Sequence, residues 1–130
     1  MLGILGLGSR STGFYLSELN KKYNQINGGY STCPFILLNA NFDNINSLLP
    51  YASEELDKAV DSYLKEIEKL EVENILIPNI TLHETIDKLE IAKNILHPVH
   101  LSIKNAKENN WNKIVLFGSL FSMKADYIKE

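Results

Sequence analysis

Four short stretches of this sequence combine small hydroxyl or amide side chains. They are Gly6-Leu7-Gly8-Ser9-Arg10-Ser11-Thr12, Asn39-Ala40-Asn41-Phe42-Asp43-Asn44, Asn79-Ile80-Thr81-Leu82-His83 and Gly118-Ser119-Leu120-Phe121-Ser122. Such groups, with backbone N–H at helix starts, suit a small anion such as a carboxylate. Asn and Ser also favour turns and caps for local reasons, so one stretch alone says little. Four of them on one edge of a sheet would point to a ligand. His83 is the titratable candidate in the third stretch, with an intrinsic pKa of about 6.5.

Other chemistries fit less well. Gly6 and Gly8 begin a dinucleotide fingerprint, but Ser11 stands where the third glycine belongs. No Asp or Glu occurs between Glu18 and Asp43, so the ribose-binding acid is missing. A phosphate loop would need Gly-Lys-Ser/Thr, and none follows. His83-Glu84 opens like a zinc-protease helix, yet Asp87 occupies the closing position. His97 and His100 flank Pro98 with no third ligand close in sequence, so no metal is expected. The single cysteine, Cys33, rules out an intrachain disulfide. It precedes the second strand, at the amino edge and away from the loops, and reads as an ordinary half-buried thiol.

Positioning these loops requires strands that end where they begin. Gly3-Ile4-Leu5, Phe35-Ile36-Leu37-Leu38, Ile75-Leu76-Ile77 and Ile114-Val115-Leu116-Phe117 are continuous apolar runs, as strands buried on both faces should be. Helical patterns lie between them. One carries Phe14, Tyr15, Leu19 and Tyr23 and stops at Asn27-Gly28-Gly29. Another runs from about residue 52 to 70, with Leu56, Val60, Tyr63, Leu64, Ile67 and Leu70 on one stripe and Ser53 as its N-cap. Shorter helices are expected at about 83–90, 101–109 and 124–128. This alternation predicts an α/β fold: a parallel, flavodoxin-like layered sheet of βα units, with strands 3–5, 35–38, 75–77 and 114–117 in one sheet and helices on both faces.

The 130 residues suffice for one domain with a core. A formal net charge of -3 argues against a nucleic-acid partner. No apolar run approaches the roughly 20 residues that span a bilayer, so no membrane partner is expected and a cytoplasmic location is. The opening Ile4-Leu5-Gly6-Leu7-Gly8-Ser9, with Ser11 and Tyr15, is echoed by Val115-Leu116-Phe117-Gly118-Ser119, with Ser122 and Tyr127. Any pair of βα units would look alike in this way. The alternative is a duplicated domain whose second copy opens near Lys113.

Taken together, the loops resemble the cofactor-independent aspartate/glutamate racemase family. Its first loop, Gly-Met-Gly-Pro-x-Ala/Ser-Thr, corresponds to Gly6 through Thr12. Its Pro-Cys-Asn-Thr-Ala-His corresponds to Pro78-Asn79-Ile80-Thr81-Leu82-His83, and its Leu-Gly-Thr-x-x-Thr-Met to Phe117 through Met123. The strand before Asn39 is similar to the one leading into the family's short substrate loop. The resemblance implies two facing α/β domains, with an N-terminal unit over residues 1–98 and the helix-strand-helix opening of a truncated second unit over 99–130. It implies a small amino acid or dicarboxylate ligand, no cofactor, and substrate contacts at Gly8, Ser9, Ser11, Thr12, Asn39, Asn79, Thr81, Ser119 and Ser122.

In that family one thiolate removes the Cα proton and a thiol on the opposite face returns one. Two thiols are used because the stereocentre must be reached from both sides. Here the first cysteine position holds Asn79, a neutral amide unable to serve as acid or base, which leaves His83 as the remaining titratable group of the motif. The implied function is therefore a racemase-family protein that is incomplete or inactive. The alternative is a non-catalytic module binding a small carboxylate or a protein. Apolar residues Val115, Phe117, Phe121 and Tyr127, without a covering domain, suggest a homodimer.

Overall fold

The computed structural model describes residues 1–128. The glycine-bounded apolar run at the start forms β1 (Leu2–Gly6), and Ser9–Asn27 follows as helix α1. Next come β2 (Phe35–Asn39), the single turn α2 (Asp43–Asn46) and helix α3 (Glu54–Glu68). Strand β3 (Asn74–Leu76) leads through a 3-10 turn (Ile80–Leu82) into α4 (His83–Ile86). The chain continues through β4 (Asn94–Ile95), α5 (Pro98–Glu108), α6 (Leu120–Lys124) and a last 3-10 turn (Asp126–Ile128).

All four strands are parallel, in the order β2-β1-β3-β4. This is the start of the flavodoxin-like order, so the fold class read from the sequence is the one observed. Strand β1 pairs on both sides. Leu2 to Gly6 align with Phe35 to Asn39, and Leu2 to Ile4 with Asn74 to Leu76. Its Ile4 and Leu5 are fully buried.

Helix α3 closes the main core. Leu56, Val60, Leu64 and Ile67 recur at helical spacing and pack with Leu5 and Ile75 of the sheet and with Leu7 and Ile77 just beyond its strands. Ser53 starts the helix, its Oγ accepting the Leu56 N–H at 3.1 Å, and Glu54, Glu55 and Asp57 favour the positive end. A Cβ on Gly3 would lie 3.1 Å from Val72 Cγ2 and 3.2 Å from Ile67 Cδ1, so the glycine lets the segment around α3 approach the strand closely. No helix among the described residues is long and apolar enough to cross a membrane.

The strand expected at 114–117 is not in the sheet. Those residues form an irregular, solvent-exposed segment, with Val115 73% and Phe117 87% exposed. The sheet's edges, β2 and β4, carry no further strand among the described residues. The helix expected at 101–109 starts earlier, at Pro98, because a proline at the first helical position loses no intrahelical bond. The helix expected at 83–90 ends at Ile86, and the one expected at 124–128 becomes α6 plus a 3-10 turn. Residues 129–130 of the expected second unit lie outside the described residues.

Leu64 is fully buried in the α3 seam. Leu64→Ala should lower unfolding free energy by about 2–5 kcal/mol in urea titrations. A loss under about 1 kcal/mol would mean that α3 does not close the core as described.

Candidate functional site

Parallel strands place their carboxyl ends on one edge, and the loops after β1, β2 and β3 meet there. Gly6 aligns with Asn39, and the Ala40 N–H donates to Gly6 O at 3.0 Å. A Cβ on Gly6 would sit 2.6 Å from Asn39 Oδ1, so the two loops touch because residue 6 has no side chain.

Gly8 caps α1 with φ 73°, a conformation that favours glycine. The turn is braced from behind. Thr12, buried, receives the Leu7 N–H on Oγ1 at 3.1 Å, and Ser11 Oγ donates to Leu7 O at 3.1 Å. Thr12 Oγ1 is therefore committed to bracing the loop. No side chain caps α1, and no acid lies in its first turn. The first N–H groups of this 19-residue helix thus have no capping side chain among the described residues, and Arg10 belongs to the same first turn. Gly8, Ser9, Arg10 and Ser11 line an open concavity of about 560 Å³ with Phe42 from the β2 loop. Arg10 and Phe42 were not among the residues singled out from the sequence. An arginine beside an uncapped glycine-started helix was the available signal for the first. Phe42 depends on the pairing of β1 with β2.

The third loop is more closed. Asn79 Oδ1 accepts the Thr81 N–H at 3.1 Å and so caps the 3-10 turn. The His83 ring lies fully buried, its Nδ1 2.9 Å from Asn79 O. A carbonyl can only accept, so Nδ1 carries the proton and Nε2 holds the lone pair. Nε2 is buried with no hydrogen-bond partner among the described residues. Burial, with the neighbouring His97, pushes the His83 pKa down to about 4; the contact with Asn79 and the charge of Asp87 oppose the shift only in part.

Behind His83 the fold assembles a cluster that is scattered in sequence. His97 packs edge-on against His83, ring centres 4.5 Å apart, and stacks on His100 at 3.9 Å. Its Nε2 lies 3.3 Å from Asp87 Oδ1 without the alignment of a hydrogen bond. Burial lowers the His97 pKa, and Asp87 opposes that shift. Asp87, His97 and His100 each present a ligand atom, all within 4.8 Å of one another. The third donor group that His97 and His100 lack nearby in sequence comes beside them from Asp87 at the end of α4.

Ser119 and Ser122 do not join the loop edge through any sheet strand. Ser119 Oγ caps α6 by accepting the Ser122 N–H at 3.2 Å, and the two hydroxyls lie 3.1 Å apart. The segment is tied to the third loop by Tyr127, whose hydroxyl donates to Ile80 O at 2.8 Å. Burial, with the Glu84 and Asp87 carboxylates, pushes that phenol up to about 12. Cys33 is half-buried ahead of β2, its N–H donating to Asn20 Oδ1 at 2.9 Å, on the opposite edge from these loops.

Neither a family model nor a curated protein matches the sequence. Solved structures do match the fold. One described as a proposed Asp/Glu racemase from Yersinia pestis superposes with a TM-score of 0.88 at 21% identity, over 98% of this chain and 57% of the other. An aspartate racemase homologue from Pyrococcus horikoshii gives 0.80 at 19% identity, with the same coverage of 98% and 57%. The chain thus spans little more than half the length of both.

The burial of His83 sets a pH dependence. A folded-state pKa near 4 against an unfolded value of 6.5 means that the unfolded chain binds more protons between those limits. Stability should be complete above about pH 6.5 and fall as pH drops toward 4, by up to about 3 kcal/mol from this group. Histidine NMR should show one ring, absent in His83→Gln, titrating well below the others. A midpoint near 6.5 for that ring would contradict the buried neutral state.

Proposed function

We propose that this chain is the amino-terminal part of an aspartate/glutamate racemase-family protein, and that it holds a small amino acid or dicarboxylate without exchanging its Cα proton. The fold shared with solved racemase homologues supports the lineage, as do the loop motifs at Gly6–Thr12, Pro78–His83 and Phe117–Met123. Residues 99–130 are on this reading the opening of a second unit.

The observation that carries the binding half is the uncapped start of α1 beside Arg10, opening into the concavity shared with Phe42. A carboxylate there would accept from backbone N–H groups and pair with the guanidinium. Against proton exchange stands the third loop. Asn79 occupies the thiol position with its Oδ1 already accepting from Thr81, and the lone pair of His83 is sealed in the interior. A positioned acid or base supplies about 10²–10⁴-fold in rate, and neither residue is placed to do so.

The direct test incubates the chain in D2O with L- and D-aspartate and glutamate and follows Cα exchange by proton NMR. No exchange above background is expected, while the same ligands shift the amides of Gly8–Ser11 saturably. Arg10→Ala should weaken that binding by about tenfold. Exchange that disappears in His83→Ala would make the chain a catalyst and overturn the inactive half of the proposal. Amides unmoved by any of the four ligands would overturn the binding half.

A homodimer is proposed on separate grounds. Ile114, Val115, Phe117 and Leu120 are all more than half exposed and close in sequence, the kind of apolar patch that marks an interface. Light scattering at micromolar concentration should give twice the monomer mass, and Phe117→Asp should shift it toward monomer. A monomeric wild-type chain would refute this association.

A further inference from the structure

Asp87, His97 and His100 lie apart from the carboxylate-binding concavity and have no part in the function proposed for it. We propose that they form a site for a divalent transition-metal ion of the zinc type, at the junction of α4 and α5. Each offers one ligand atom, and the three atoms lie within 4.8 Å of one another. The pair at the centre is already spaced for a metal. With metal–nitrogen and metal–oxygen bonds of about 2.1 Å, the edge of a tetrahedral coordination shell is about 3.4 Å. His97 Nε2 and Asp87 Oδ1 stand 3.3 Å apart.

The second observation is His97 itself. It is only 5% exposed, and its Nε2 has no hydrogen-bond partner among the described residues, although a carboxylate lies beside it. The nitrogen and the carboxylate face each other in a contact that is long and poorly aligned for a hydrogen bond, and a cation between the two would satisfy both. His83 packs edge-on against the His97 ring and holds its plane in place.

Loading requires two adjustments, both at exposed His100. Its ring lies within 18° of parallel to His97, so an ion in the plane of one ring is beside the plane of the other. His100 must swing about its side-chain bonds, which its exposure allows. A metal at His97 Nε2 also places the ring proton on Nδ1, so the loose 3.4 Å contact from the His100 N–H gives way to solvent. The core stays as it is. Two imidazoles with one carboxylate favour Zn²⁺, Co²⁺ or Ni²⁺ over Mg²⁺ or Ca²⁺, which prefer oxygen shells. The exposed side of the cluster leaves room for water to complete the shell, and the ion would tie the end of α4 to the start of α5.

The test uses the full chain stripped with chelator, then titrated with Zn²⁺ by calorimetry and with Co²⁺ by visible absorption. One saturable equivalent is expected, with a tetrahedral cobalt spectrum and a rise in melting temperature. Asp87→Asn and His100→Ala, both at exposed positions whose folding is checked by circular dichroism, should each weaken binding by at least about tenfold. Cys33→Ser should leave it unchanged. Mg²⁺ should not compete. The proposal fails if no saturable binding occurs up to about 100 µM Zn²⁺. It also fails if both variants bind as the native chain does, or if binding is lost with Cys33.

Discussion

Strand β1 has neighbours on both sides and α3 pressed against one face, and every loop of interest takes its position from that arrangement. The parallel pairing of Leu2–Gly6 with Phe35–Asn39, and of Leu2–Ile4 with Asn74–Leu76, decides that three polar loops emerge on one edge. The pairing requires small residues at two points. At Gly3 the approach of Val72 and Ile67 leaves no easy room for a side chain, and at Gly6 the Asn39 side chain occupies the space that a Cβ would take. Larger residues would push away α3 or separate the first two loops.

From that shared edge the loops diverge in how their polar groups are used. In the first, Thr12 and Ser11 bond back to Leu7, which stiffens the turn and leaves the backbone N–H groups at the start of α1 open. In the third, Asn79 bonds forward to Thr81 and His83 bonds back to Asn79 O, so the loop satisfies itself. The contrast separates binding from chemistry. The start of α1 keeps its N–H groups without a capping side chain, whereas Asn79 Oδ1 is already accepting and the His83 Nε2 lone pair is buried.

The histidines illustrate how burial decides what a residue can do. His83 and His97 sit in the interior, where the charged imidazolium is disfavoured, and both pKa values fall below the usual range. Asp87 at the end of α4 places a negative charge in this neighbourhood, and burial of the Tyr127 phenol, with the Glu84 and Asp87 carboxylates, keeps it un-ionised. The third loop is therefore enclosed by α4, the start of α5 and the C-terminal segment, three elements far apart in the chain.

Much of this was determined by sequence alone. Unbroken apolar runs separated by amphipathic stripes specify parallel βα units, because a strand buried on both faces needs no alternation and a helix must show its stripe. Glycine, serine and asparagine after those strands marked the loop edge. Tertiary structure decided the rest. Ile114–Phe117 has the composition of a strand but stays outside the sheet, with Ile114, Val115 and Phe117 more than half exposed. Ile95, by contrast, pairs with Ile75 through a two-residue ladder too short to show as a pattern. Thr12, Ser119 and Ser122, read from the sequence as ligand contacts, each bond within their own turn, a use of the hydroxyl set by local backbone geometry as well as residue type. Asp87 came beside His97 and His100 only because β4 lies next to β3 and turns the chain back into α5. Proximity across the fold is a property of strand pairing, and no local spacing encodes it.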